Sequence, residues 1–133
     1  MKIKLLTGMY ILLLGAIVFC ADRLDYQYLF SFIRAIPGGD KLGHFILMGL
    51  FAFLFNVSLS CRIIRIVGRP VLLGSVIVIT IITIEELSQN LIPYRSFDLL
   101  DLTADYLGVF VFGKAARLYS QKDKSQPYAK GPA

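Results

Sequence analysis

Four apolar stretches, separated by short polar ones, set the pattern of this chain. Leu5 to Ala21 is uncharged, with Lys2 and Lys4 before it and Asp22-Arg23 after it. It is near the short limit for a membrane-spanning helix. A signal peptide has the same layout, but the region around Val18-Phe19-Cys20 makes a poor cleavage site, and Phe19 before Cys20 makes a poor lipoprotein site. An uncleaved span is therefore expected. Asp22 to Asp40 reads as a mixed polar and aromatic loop ending in Pro37-Gly38-Gly39, which cannot continue a helix. Asp40 is then the expected N-cap of a second span over Leu42 to Ser60. Cys61 to Pro70 reads as a short basic loop. Val71 to Ile84 is β-branched and would suit a strand in a water-soluble protein, but in lipid only a helix satisfies its own backbone. A third span is expected over Val67 to Ser88, broken by Pro93, with Tyr94-Arg95-Ser96 as a turn. Ser96, with Asp98 close behind, is placed to cap a fourth helix from Phe97 to Tyr119.

The fold these elements predict is all-α: a polytopic membrane protein with a four-helix transmembrane bundle. Residues 1–120 would form the membrane domain. Residues 121–133, polar and containing Pro127 and Pro132, would form a disordered cytoplasmic tail.

Composition strengthens that picture. The chain has 133 residues, of which 56% are hydrophobic. Its mean hydropathy is +0.68, well above a soluble average. In a soluble protein a net charge of +5 would suggest nucleic acid. Here the basic residues lie between and beyond the apolar runs, as cytoplasmic loops require, so no nucleic-acid partner is expected. The N-terminus, the 61–70 loop and the residues from Lys114 onward hold ten of the fourteen Lys and Arg. Arg23, Arg34, Lys41 and Arg95 make up the other side. The positive-inside rule then puts both termini in the cytoplasm of a multi-pass inner or plasma membrane protein. Of the acidic residues, only Asp123 falls inside. Tyr26, Tyr28, Tyr94 and Tyr119 lie near span ends, where amphipathic rings favour the interface. Cys20 and Cys61 fall at opposite faces, too far apart for a disulfide, and read as packing residues.

The candidate chemistry lies at the outer side. Glu85 to Gly108 contains Glu85, Glu86, Gln89, Arg95, Asp98, Asp101 and Asp105 between two apolar segments, where desolvation is costly. Glu86 and Gln89 are spaced i, i+3 near the end of the third helix. Asp98, Asp101, Asp105 and Gly108 form one stripe on the fourth. Asp40, Lys41 and His44 start the second, with Asp40 and His44 one turn apart. Three helix ends can thus converge on one polar pocket. Gly108 lets a neighbouring backbone come close, and Gly43, Gly49 and Ala52 read as close-packing sites.

These residues carry a resemblance. Asp40-Lys41 with His44, Glu86 with Gln89, and the run Pro93, Arg95-Ser96-Phe97-Asp98, Asp101, Asp105, Gly108 resemble the VanZ-like family of membrane proteins. The resemblance covers roughly residues 40–113. It implies a class linked to glycopeptide-antibiotic resistance and a site, but no reaction. Asp105 stands where the family usually has Asn. Its extra charge would pair with Arg95, Lys41 or His44, take up a proton, or help bind a cation.

Two functional readings follow. In the first, the outward site binds or acts on a polar group of a lipid or a lipid-linked envelope precursor. His44, Glu86 and Asp101 are its acid/base candidates, while Lys41, Gln89, Arg95, Asp98 and Asp105 hold the substrate. Arg95 would clamp phosphate or carboxylate. In the second, the same groups only stitch the bundle together. His44 would bond a carboxylate, Arg95 would pair with Asp98 or Asp101, Glu85 would be solvated, and the protein would be a scaffold or accessory factor. One His among carboxylates suits a hard divalent cation better than zinc, but no spacing marks a metal centre, so no metal or other cofactor is assigned. There is no Ser-His-Asp order, no HExxH and no glycine-rich phosphate loop.

Overall fold

A computed structural model describes residues 1–23, 31–93 and 95–124. The expected tyrosines Tyr26, Tyr28 and Tyr94, part of the 22–40 loop and most of the C-terminal tail lie outside the described residues. The structure is mostly helical. Its elements are α1 (Lys2–Arg23), a single turn α2 (Ser31–Arg34), α3 (Gly39–Ser58), strands β1 (Ile63–Ile66) and β2 (Arg69–Leu72), α4 (Leu73–Ser88), a 3-10 turn (Gln89–Leu91) and α5 (Leu99–Lys124). Among the described residues, α1 and α3 are long and apolar enough to cross a membrane.

The helices run alternately up and down. Thr7 Oγ1 donates to Leu54 O at 3.2 Å and Tyr10 Oη to Leu47 O at 2.9 Å, so the start of α1 lies beside the end of α3. Lys41 meets Asp98 and Asp101, so α3 and α5 begin at the same end. These two helices share the most extensive interface. It is a seam of small residues. A Cβ on Gly108 would collide with the backbone carbonyl of Phe45, and one on Gly49 with the ring of Phe112. Ala52 between them is fully buried. Such pairing allows backbones to approach closely enough for dispersion to hold them. Gly43 has open space where a side chain would go, so it is not a packing site as expected.

The core is narrow, built on Phe51, Val78, Ile82, Leu102 and Val109. Outside it, large apolar side chains face outward, including Leu5, Leu12, Phe19, Ile84, Leu107 and Phe110. An aqueous surface would disfavour so continuous an apolar exterior.

Four boundaries differ from expectation. The basic 61–70 loop and the first third of the expected third span form an antiparallel hairpin, pairing Ile63 with Leu72 and Ile66 with Arg69. Val67 and Gly68 turn it, with φ of 49° and 75°. Two consecutive positive φ values match the twist of a tight hairpin. β-Branched Ile63, Ile64, Ile66 and Val71 favour the pleat, and the ladder satisfies backbone groups that a helix would otherwise have to satisfy. Helix α4 therefore starts at Leu73, not Val67, and its 16 residues span about 24 Å.

The cap of α3 is Gly38, at φ 71°, and Asp40 lies inside the first turn, where its charge complements the helix dipole. The cap of α5 is Asp98 rather than Ser96: Leu100 N donates to Asp98 Oδ1 at 2.8 Å. At its far end α5 continues to Lys124, so residues 121–124 of the expected tail are helical.

Candidate functional site

The start of α3, the end of α4 and the start of α5 meet at one end of the molecule, and the sequence-predicted residues meet there with them. Asp105 lies two turns inside α5, on its α3-facing side, and is 1% exposed. His44, one turn into α3, lies across from it with Nδ1 3.0 Å from Asp105 Oδ1. An ionised carboxylate only accepts, so His44 donates from Nδ1. Nε2 is 3.8 Å from Asp101 Oδ2. Lys41 closes the outer side, 2.7 Å from Asp101 and 3.3 Å from Asp98.

Helix α4 reaches the same cluster through Glu86, which is also 1% exposed. Its Oε1 accepts from the backbone N–H of Asp98 at 3.0 Å, and its Oε2 from Gln89 Nε2 at 3.0 Å. The carboxylate thus ties the end of α4 to the cap of α5. Gln89 Nε2 also donates to Glu85, at 3.1 Å to Oε2, and Arg95 Nη1 reaches Glu85 Oε1 at 3.4 Å. Glu85 is therefore engaged by two neighbours, which corrects its expected role as a solvated residue. The ion pair seen for Arg95 is with Glu85, where Asp98 or Asp101 was expected.

All eight predicted site residues are thus joined in one run: Asp105, His44, Asp101, Lys41, Asp98, Glu86, Gln89 and, through Glu85, Arg95. Of the partners open to Asp105, the structure gives it His44. Asp98, whose side chain is 42% exposed, has a carboxyl pKa below the usual aspartate range, first because the Leu100 N–H binds its charged form and then because Lys41 is close.

Two kinds of chemistry are open to this arrangement. The Asp105–His44 pair has the form in which a carboxylate fixes an imidazole and leaves its second nitrogen to move a proton or bind a ligand. Lys41 and Arg95 bring positive charge to the cluster, Lys41 against Asp98 and Asp101 and Arg95 against Glu85. A cation has a weaker case. Asp40, His44 and Asp101 each offer a ligand atom, all within 4.8 Å of one another. Lys41, however, already neutralises Asp101 at 2.7 Å.

Sequence reading missed the residues at the opposite end. Asn56 is 0% exposed. Its Nδ2 donates to Ala52 O at 2.9 Å and to Ser75 Oγ at 2.8 Å. Its Oδ1 accepts from Ser75 N at 3.1 Å. Asn56 thereby caps the first turn of α4 from a neighbouring helix, and a Cβ on Gly74 would collide with it. A lone amide near the end of an apolar run was the available signal. Cys61 lies at the same end, with Sγ 3.4 Å from Ala116 O. Burial pushes its thiol pKa up, which favours the protonated form. Both Cys20 and Cys61 are free, in keeping with the expected lack of a disulfide.

No protein-family model, curated protein or solved structure matches this chain.

Proposed function

We propose that the chain is a four-span, VanZ-like membrane protein of the cell membrane with both termini in the cytoplasm, and that its outward polar mouth binds or acts on a polar group of a lipid or lipid-linked envelope precursor. The single observation that carries this reading is the buried Asp105, paired with the half-buried His44 and joined through it to the Lys41–Asp101 rim. A neutral hydrogen bond would hold two helices at far lower desolvation cost than a carboxylate placed two turns deep. His44 and Asp101 are assigned proton transfer. Glu86 positions the mouth and is the second acid/base candidate. Lys41 and Arg95 take the anionic part of the substrate, and Gln89, Asp98 and Asp105 orient the others.

The four-span topology is supported by distance. From Asp98 to Arg117 along α5 is about 28 Å, close to the thickness of a hydrocarbon core. Acidic mouth and basic end therefore suit opposite interfaces. The apolar exterior supports the bilayer as solvent, and the charge bias supports the orientation. Envelope and glycopeptide-resistance roles rest on the VanZ-like motifs.

One observation favours the scaffold reading: among the described residues, no buried side-chain nitrogen or oxygen lacks a partner. Single replacements Glu86→Gln, Arg95→Gln and Asp101→Asn separate the two. A site predicts folded protein in detergent with altered glycopeptide or envelope-stress sensitivity. Loss of folded protein together with the phenotype supports scaffolding.

A further inference from the structure

A groove lies at the basic end, remote from the acidic mouth. Its volume is about 310 Å³, and it runs between α4, α5 and the hairpin. Val76 and Ile79 of α4, Val109 and Phe110 of α5, and Val71 and Leu72 of β2 line it. Two cations, Lys114 and Arg117, complete the wall. They lie i, i+3 on α5 and so share one face. Lys114 Nζ sits 4.4 Å from the centroid of the Phe110 ring, which holds the ammonium over the apolar wall. Both cations are exposed, as are Arg62, Arg65 and Arg69 around the hairpin. The groove is therefore apolar along its length and positive at one end.

We propose that this groove binds one anionic phospholipid, with an acyl chain along the α4–α5 floor and the headgroup phosphate between Lys114 and Arg117. The apolar floor matches a hydrocarbon chain, and the paired cations match a phosphodiester that a zwitterionic lipid shields with its own ammonium. The hairpin supplies a fixed third wall, which a plain loop would not. The proposal rests on the membrane reading but is independent of any chemistry at the mouth.

The test uses full-length protein purified in a neutral detergent, with retained lipid counted by native mass spectrometry after exposure to equal amounts of phosphatidylglycerol and phosphatidylcholine. Two cations at the headgroup give an expected preference of about tenfold for phosphatidylglycerol. The double variant Lys114→Gln/Arg117→Gln should bring the two lipids level. Lys122→Gln/Lys124→Gln, on the same helix but outside the groove, should leave the preference intact. Val76→Phe should fill the floor and lower retention of both lipids with no change of charge. Circular dichroism confirms that each variant is folded, and the exposed Gln pair carries the test if Val76→Phe is not. Equal retention of the two lipids overturns the proposal, as does a preference that survives the Gln pair. Displacement by soluble glycerol phosphate would mean a phosphate site with no lipid, and a dimer that buries the groove would mean a protein partner; either overturns it. Release of the protein from membranes by alkaline carbonate would instead defeat the membrane reading itself.

Discussion

The two ends of this helix packing handle buried polar groups in opposite ways. At the basic end, Asn56 meets Ser75 and the carbonyl of Ala52, all neutral, and the bond from the Ser75 N–H closes the first turn of α4. At the acidic end, Asp105, Glu86, His44 and Lys41 perform similar joining with charge. Amide and hydroxyl groups are the cheaper way to fasten helices, because their desolvation cost is several-fold below that of a carboxylate. The neutral end therefore shows what fastening alone needs in this chain. The charge at the mouth exceeds that need.

The largest effect should come from the seam that supports both ends. Gly108→Val would drive side-chain atoms into the Phe45 carbonyl, which belongs to backbone and cannot rotate away. Separation of α3 from α5 should cost more than about 4 kcal/mol, at the exceptional end for one substitution. No folded monomer should be recovered by size exclusion in detergent. A folded Gly108→Val protein with both ends intact would mean that the ends are held independently.

Next is Asn56→Ala. It removes the cap of α4 and leaves the half-buried Ser75 N–H without its acceptor. A loss of about 1–3 kcal/mol is expected, the cost of leaving that capped donor unsatisfied. Thermal unfolding in detergent measures it, and any phenotype should fall only in proportion to folded protein.

Asp105→Asn tests the mouth directly. Asparagine is nearly isosteric and still reaches His44, so it should cost about 1–2 kcal/mol or less. If the charge serves function, the phenotype should fall much further than the folded fraction. If it falls only in parallel, the two ends do the same job and the contrast between them is lost.

How far this was readable from sequence follows from the same contrast. The charged residues announced themselves because they stood out against apolar neighbours, and i, i+3 and i, i+4 spacing put Asp98, Asp101 and Asp105 on one stripe before any coordinates. The partner of each was not readable. Glu85 rather than an α5 aspartate faces Arg95, because the 3-10 turn at Gln89–Leu91 folds the chain back on α4. The hairpin falls mainly in Cys61 to Pro70, where Arg62, Arg65 and Arg69 read as a basic loop and obscure the β-branched Ile63, Ile64 and Ile66; only its last residues lie in the expected third span. Asn56 was overlooked because a single amide is quiet beside five acids.

The smallest effect concerns acid. Asp98 has a lowered pKa because it caps α5 and faces Lys41. A carboxylate lowered by folding adds stability that is present above the unfolded aspartate value, near 4, and is lost as pH falls through the folded value. Acidification from about pH 5 to pH 3 should therefore loosen the start of α5. With this side chain 42% exposed, its share should stay under about 1 kcal/mol. Asp98→Asn keeps an acceptor for the Leu100 N–H but cannot titrate. Its melting temperature should start lower than the parent at pH 7 and decline less between pH 5 and pH 3. An equally steep decline in both proteins would mean that Asp98 contributes nothing to the acid sensitivity, and the rim would then be no more than a solvated edge of the Asp105–His44 pair.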